Sequence, residues 1–166
     1  MITTAQLMKK MIDFSDGSMH DITHLLKVWG YARTLGMLED LDSDTQFILE
    51  AAAITHDIAC PLCRSKYGHA AGPLQEKEGA ILVRTFLSDA DLPPSIVDRI
   101  SYLVGHHHTL DTIDGIDYQI LIEADYLVNA EECQYAPEDI FNFSQLHFRT
   151  ASGTALLRSI YPQAFL

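Results

Sequence analysis

Apolar residues recur along this chain at three- and four-residue spacing and nowhere alternate over a strand's length, so the pattern predicts helices from end to end. A short amphipathic helix is expected at about residues 3–14, opened by Thr3 or Thr4. A longer one follows from about Ser18 to Leu38, with His20, His24, Val28, Ala32 and Leu35 at helical spacing. A third is expected at about 44–59, where Ser43 and Gln46 make a capping-box start before an apolar run. Residues 60–73 read as the one long irregular segment, and loops of that length in compact domains are often functional. Helices resume at about 74–89, 94–108, 117–133, 137–148 and 150–160, with Pro94 and Pro137 at two of the starts. With no repeat, linker or low-complexity tract, the expectation is a single all-α domain over residues 1–166.

Length and charge narrow the classes of function. A chain of 166 residues is long enough for a substantial core. A net charge of -12 disfavours nonspecific binding to nucleic acid or to an anionic membrane, because both need clustered cations. A small anionic substrate would need local help from a metal or from a few placed Lys and Arg side chains. No apolar run approaches the roughly 20 residues of a membrane span, and the first residues lack the basic start and apolar block of a signal peptide. Three cysteines cannot form a closed set of internal disulfides, so the cytoplasm is the expected compartment. Cys60-Pro61-Leu62-Cys63 has redox or zinc-knuckle spacing but no second Cys pair and no βαβ surroundings, which favours two ordinary semi-buried cysteines over a structural zinc with His56 or His69.

Chemistry enters where the pattern is broken. The apolar segment Ile48–Ala59 ends in His56-Asp57, and Asp125 sits inside Ile120-Leu121-Ile122-Glu123-Ala124-Asp125-Tyr126-Leu127-Val128. A carboxylate in apolar surroundings costs several kcal/mol unless a cation or hydrogen bonds compensate it. Two such acids in a histidine-containing chain suggest a shared counter-charge, and a divalent metal is the economical one. The candidates are His24, His56, Asp57 and Asp125, converging from different helices except for the adjacent pair. Trp29, Phe141, Phe143 and Phe148 are expected in the core, and no glycine-rich phosphate loop is present.

The ordered segments His20-Asp21-Ile22-Thr23-His24-Leu25-Leu26-Lys27-Val28, Ala51-Ala52-Ala53-Ile54-Thr55-His56-Asp57-Ile58 and Glu123-Ala124-Asp125 resemble the HD superfamily of metal-dependent phosphohydrolases. The resemblance covers about residues 18–130 and leaves the C-terminal helices, about 137–160, unassigned. It implies an HD-like helical bundle, a divalent metal cofactor (Fe, Mn, Ni, Zn, Co and Mg alike) and ligation by His24, His56, Asp57 and Asp125. His24 is preferred to His20 because the family's first ligand opens a His-x-x-basic-Val pattern, which leaves His20 a supporting place beside the ligands or substrate, or a solvated helix start.

In Gly105-His106-His107-His108-Thr109, the residues alone also fit cationic histidines at a helix end. The resemblance implies instead that His106 and His107 are second-metal ligands or phosphate contacts, with His108 exposed. Members with two metals usually carry a further His where this chain has Gln75, so a second ion would recruit Glu78, Glu76 or His69. One tightly held ion with an optional second is the expectation.

The implied reaction is hydrolysis of a small phosphate ester, nucleotides included, with Asp57 and Asp125 also orienting the nucleophile and Arg64, Lys66 and Tyr67 contacting phosphate. No Glu-Asp follows the His-Asp pair as in guanosine polyphosphate hydrolases, and no Gly-Tyr-Pro motif points to a cyclic-di-GMP phosphodiesterase. Two rival readings are an HD-type di-iron oxygenase and a non-catalytic metal-containing binding module. Self-association as a homodimer is open to the C-terminal helices.

Overall fold

A computed structural model describes residues 2–166 and is helical throughout, with no strand among the described residues. The helices are α1 (Thr4–Phe14), α2 (Met19–Leu38), α3 (Ser43–Thr55), α4 (Cys60–Tyr67), α5 (Gly72–Phe86), α6 (Pro94–Val104), α7 (Ile116–Glu132), α8 (Pro137–His147) and α9 (Ala151–Ile160). A 3-10 turn, Pro162–Phe165, closes the chain.

Local chemistry explains the boundaries. Thr3 and Gln6 form a reciprocal capping box at the start of α1. The start of α3 is capped one residue earlier than the pattern suggests. Asp42 Oδ1 accepts from the Asp44 and Thr45 backbone amides, both at 3.0 Å, while the Gln46 side-chain Nε2 donates to Glu50 at 2.8 Å. A carboxylate takes two orphan amides at once, which Ser43 could not.

Residues 60–67, expected to be irregular, form α4 instead. Pro61 lies in its first turn, Arg64 and Lys66 in its last, and Gly68 ends it at φ 79, a left-handed cap that glycine adopts without strain. Pro and Gly here punctuate a helix rather than a loop. Helices α3 and α6 stop one turn earlier than the pattern suggests, at Thr55 and Val104, so His56-Asp57 and the His106–His108 run both lie on turns at helix ends.

Helix α3 lies between two apolar clusters. One joins α2, α3 and α7 through Val28, Ala32, Leu49, Leu121 and Leu127, and includes Ile140, Phe148 and Leu157 from the C-terminal region. The other joins α1, α3, α5 and α6 through Leu7, Ile54, Val83 and Ile100. The C-terminal helices therefore belong to the same core. Phe148 is buried and Phe143 packs against the core, but Phe141 is exposed, because its position on α8 faces outward. No helix among the described residues is long and apolar enough to cross a membrane.

Helices α3 and α7 are buried on nearly all sides, so their acids need partners. Glu50 accepts from Trp29 Nε1, Arg33 Nη1 and Gln46 Nε2 at 2.8–2.9 Å. Glu123, fully buried, accepts from Gln119 Nε2, the Arg149 and Thr150 amides and the Thr150 hydroxyl, which ties α7 to the start of α9. A Cβ on Gly153 would collide with that carboxylate, so glycine is required by the close approach. The chain itself satisfies both glutamates, and Asp125 is the contrast.

Candidate metal centre

His24 from the buried face of α2, His56 and Asp57 from the turn after α3, and Asp125 from the middle of α7 converge on one point. His24 Nε2 and His56 Nε2 are 3.2 Å apart. Asp125 Oδ1 lies 3.3 Å from the first and 3.4 Å from the second, and Asp57 Oδ2 lies 3.5 and 3.6 Å from them. His107, at the end of α6, brings its Nε2 to 3.4 Å from Asp57 Oδ1.

The second nitrogens fix the tautomers. His56 Nδ1 donates to the Ala53 carbonyl and His107 Nδ1 to the Val104 carbonyl, both at 2.8 Å. Each bond uses a carbonyl three residues back that the helix end would otherwise leave unpaired. His24 Nδ1 donates to Glu132 Oε2, also at 2.8 Å. All three acceptors lack a proton of their own, so in the neutral rings the hydrogens sit on Nδ1 and the Nε2 lone pairs point at one another and at two carboxylates.

Such an arrangement is unfavourable without a cation between the groups. Asp125 Oδ1 and His107 Nε2 are buried and, among the described residues, have no hydrogen-bond partner. Burial opposes charging of the imidazoles, but Asp57 and Asp125 outweigh it and lift His56 to about 9 and raise His24 as well. Burial likewise works against the ionised carboxylates, yet the imidazoles beside them hold Asp57 and Asp125 well below the usual carboxylate range. The pocket thus attracts positive charge: His24, His56 and Asp57 form a donor group that fits a divalent metal, and Asp125 Oδ1 lies within 3.4 Å of both nitrogens.

A second group, Asp57, His107 and His108, adjoins the first through the shared Asp57. His108 is exposed as expected, yet it is His108 rather than His106 that joins this group. His106 turns away: its Nδ1 donates to the Tyr102 carbonyl at 2.7 Å and its ring stacks on Tyr102. Gln75, at the position where a second metal would call for a further His, accepts from His108 Nε2 at 3.1 Å and donates to the Ala70 carbonyl.

The remaining candidates have other partners. Glu78 accepts from Lys66 Nζ at 2.8 Å and from the Tyr67 hydroxyl at 2.5 Å. Arg64 pairs with Asp21 at 2.5 Å, fastening α4 to the start of α2. His20 is largely in solvent, beside Asp21. Cys60 and Cys63 are buried thiols, and burial followed by the nearby Asp57 pushes Cys60 far above a reactive range.

Sequence reasoning missed Glu132. It lies on α7 two turns after Asp125, so helical spacing places both on one face, and Lys27 bridges it and Glu131 at 3.1 and 2.8 Å. The signal was the basic residue three positions after His24, which implies an acid opposite it.

An open cavity of about 380 Å³ begins at His107 and Asp125 and continues between α7 and α8, past Tyr126, Asn129, Tyr135 and Phe143. The family model described as HD domain matches residues 21–134, which span α2 to the end of α7 and contain every residue of both groups. No curated protein and no solved structure matches the chain.

Proposed function

The chain belongs to the HD-domain family, and on that premise we propose that it hydrolyses a small phosphate ester with the help of a divalent metal held by His24, His56, Asp57 and Asp125. The carrying observation is the buried Asp125 Oδ1, which has no hydrogen-bond partner among the described residues and faces the Nε2 atoms of His24 and His56. A bound metal would lower the pKa of water toward 7 and polarise a phosphoryl oxygen.

The chain's own groups do the rest. Ala53, Val104 and Glu132 lock the imidazoles in the tautomer that presents Nε2 to the centre. Asp57, with its side chain 30 % exposed against 11 % for Asp125, is the acid on the solvent side and is placed to accept a proton from, and so orient, the attacking water. His107 and His108 line the cavity, and His107 protonated at Nε2 as well as Nδ1 would donate to phosphate oxygens as charge builds there. Lys66, Tyr67 and Arg64 are occupied by Glu78 and Asp21, and would have to leave these acids to contact phosphate.

The group Asp57, His107 and His108 supports an optional second ion. Two irons and dependence on dioxygen would mark an oxygenase instead. The deciding experiment is metal analysis of protein purified without added ions, paired with a panel of phosphate esters. His56→Ala and Asp57→Ala should lose both metal and turnover. Phosphatase activity that survives in metal-free variants overturns the proposal.

A further inference from the structure

The cavity beside the metal centre carries information about the leaving group. It shares His107 and Asp125 with the candidate centre, so a phosphate held there places the rest of its ester in the cavity. Helix α7 builds one wall with Ile122, Asp125, Tyr126 and Asn129, which repeat at three- and four-residue spacing and so share a face. Helix α8 contributes Asp139 and Phe143 to the lining. Tyr126 and Phe143 stack at 3.7 Å with planes 6° apart, and Tyr135 stands 5.7 Å from Tyr126.

Two polar groups in this lining have no side-chain partner among the described residues. The side chains of Asn129 and Asp139 make no hydrogen bond or ion pair among the described residues. The amide offers both a donor and an acceptor, whereas the carboxylate offers acceptors alone. Neither Lys nor Arg lines the cavity. A second phosphate or a carboxylate on the leaving group would therefore face Asp139 without a compensating cation, which like-charge repulsion disfavours. A flat ring fits the aromatic wall, and N–H groups or positive charge on that ring fit Asp139.

We infer that Asn129 and Asp139 are specificity-determining residues that select phosphate monoesters whose leaving group is a planar ring bearing hydrogen-bond donors or positive charge, against anionic leaving groups and polyphosphates. This selection rests on the phosphohydrolase reading for its reaction but not for its binding. Asp139 also lies in the first turn of α8, where an acid stabilises the helix, so removing it could disturb that helix. Asp139→Asn keeps the shape and is the primary variant.

The test uses two non-hydrolysable probes, 4-(aminomethyl)benzylphosphonate and 4-(carboxymethyl)benzylphosphonate, titrated calorimetrically into the metal-loaded full chain. The corresponding aryl phosphates are assayed for turnover. The wild type should bind the cationic probe more tightly by up to about tenfold, the upper size expected for one charge reversal beside an exposed carboxylate. Asp139→Asn should shrink that ratio to about threefold or less, and Asp139→Lys should invert it. Equal binding of the two probes by the wild type, or an unchanged ratio in both variants, overturns the inference. Selective binding without hydrolysis of either ester keeps the inference and removes the phosphohydrolase reading. Hydrolysis without selectivity does the reverse.

Discussion

Replacing Glu132 by alanine should weaken metal binding although Glu132 is not itself one of the four proposed ligands. Its Oε2 takes the Nδ1 proton of His24 at 2.8 Å, and its Oε1 takes Lys27 at 3.1 Å. The lysine pair is largely in water and is worth about 0–1 kcal/mol. The bond to His24 is mostly buried and charge-assisted, a class worth about 1.5–3 kcal/mol. Without it the ring is free to flip or to protonate Nε2, and either change removes the lone pair facing Asp125. A loss of about 2 kcal/mol corresponds to roughly 30-fold weaker affinity, within the ten- to hundredfold range known for partners of metal-bound histidines. Glu132→Gln keeps an acceptor but not its charge and should lose about fivefold, and Lys27→Ala no more than that. Competition against a chromophoric chelator at fixed pH measures all three, with circular dichroism to establish that each variant is folded. A folded Glu132→Ala protein with affinity within about twofold of wild type refutes the reasoning, as does a Lys27→Ala loss of equal size.

Gly153→Ala should force the Glu123 carboxylate out of its nest of donors; at about 3–5 kcal/mol for a buried charge left unpaired, thermal melting should fall by about 10 °C. A melting temperature within about 2 °C of wild type would show that the nest can relax. In metal-free protein, the His56 pKa is raised from 6.5 to about 9, so its proton contributes stability fully below about 6.5 and that contribution is lost as pH rises to about 9. Melting curves of metal-free protein should therefore decline across that window, and metal-saturated protein should not share the decline; parallel profiles would contradict a common site for proton and metal. Gly68→Ala should cost about 1 kcal/mol, because the left-handed cap of α4 then carries a Cβ, and hydrogen exchange should show α4 fraying first.

Periodicity was enough to locate most of the helices, because each has one face that must be buried. It failed at α4, inside the segment expected to be irregular, although Pro61 suits a helix's first turn and Gly68 its cap. It also overran at Thr55 and Val104, since apolar residues continue into the turns that present His56-Asp57 and His107. His24, His56, Asp57 and Asp125 were legible as polar residues in buried stretches, a mismatch visible in one dimension. Glu132 was not, because an acid at the end of an acidic helix looks solvated until Lys27 and His24 are seen across from it. The opposite directions taken by His106 and His107 depend on where α6 terminates, and spacing does not resolve that.

The hydrogen bonds that aim His56 and His107 end on main-chain carbonyls, those of Ala53 and Val104. No side-chain substitution at 53 or 104 deletes those acceptors, so the aim of these two rings is inherited with the helix ends themselves. Of the three imidazoles held through Nδ1, His24 is the one aimed by a side chain that a single codon change can remove. Drift in metal preference or affinity, by mutation or by laboratory selection, should therefore accumulate along Glu132 and Lys27 while the other two imidazoles hold still. The centre has two fixed jaws and one adjusting screw.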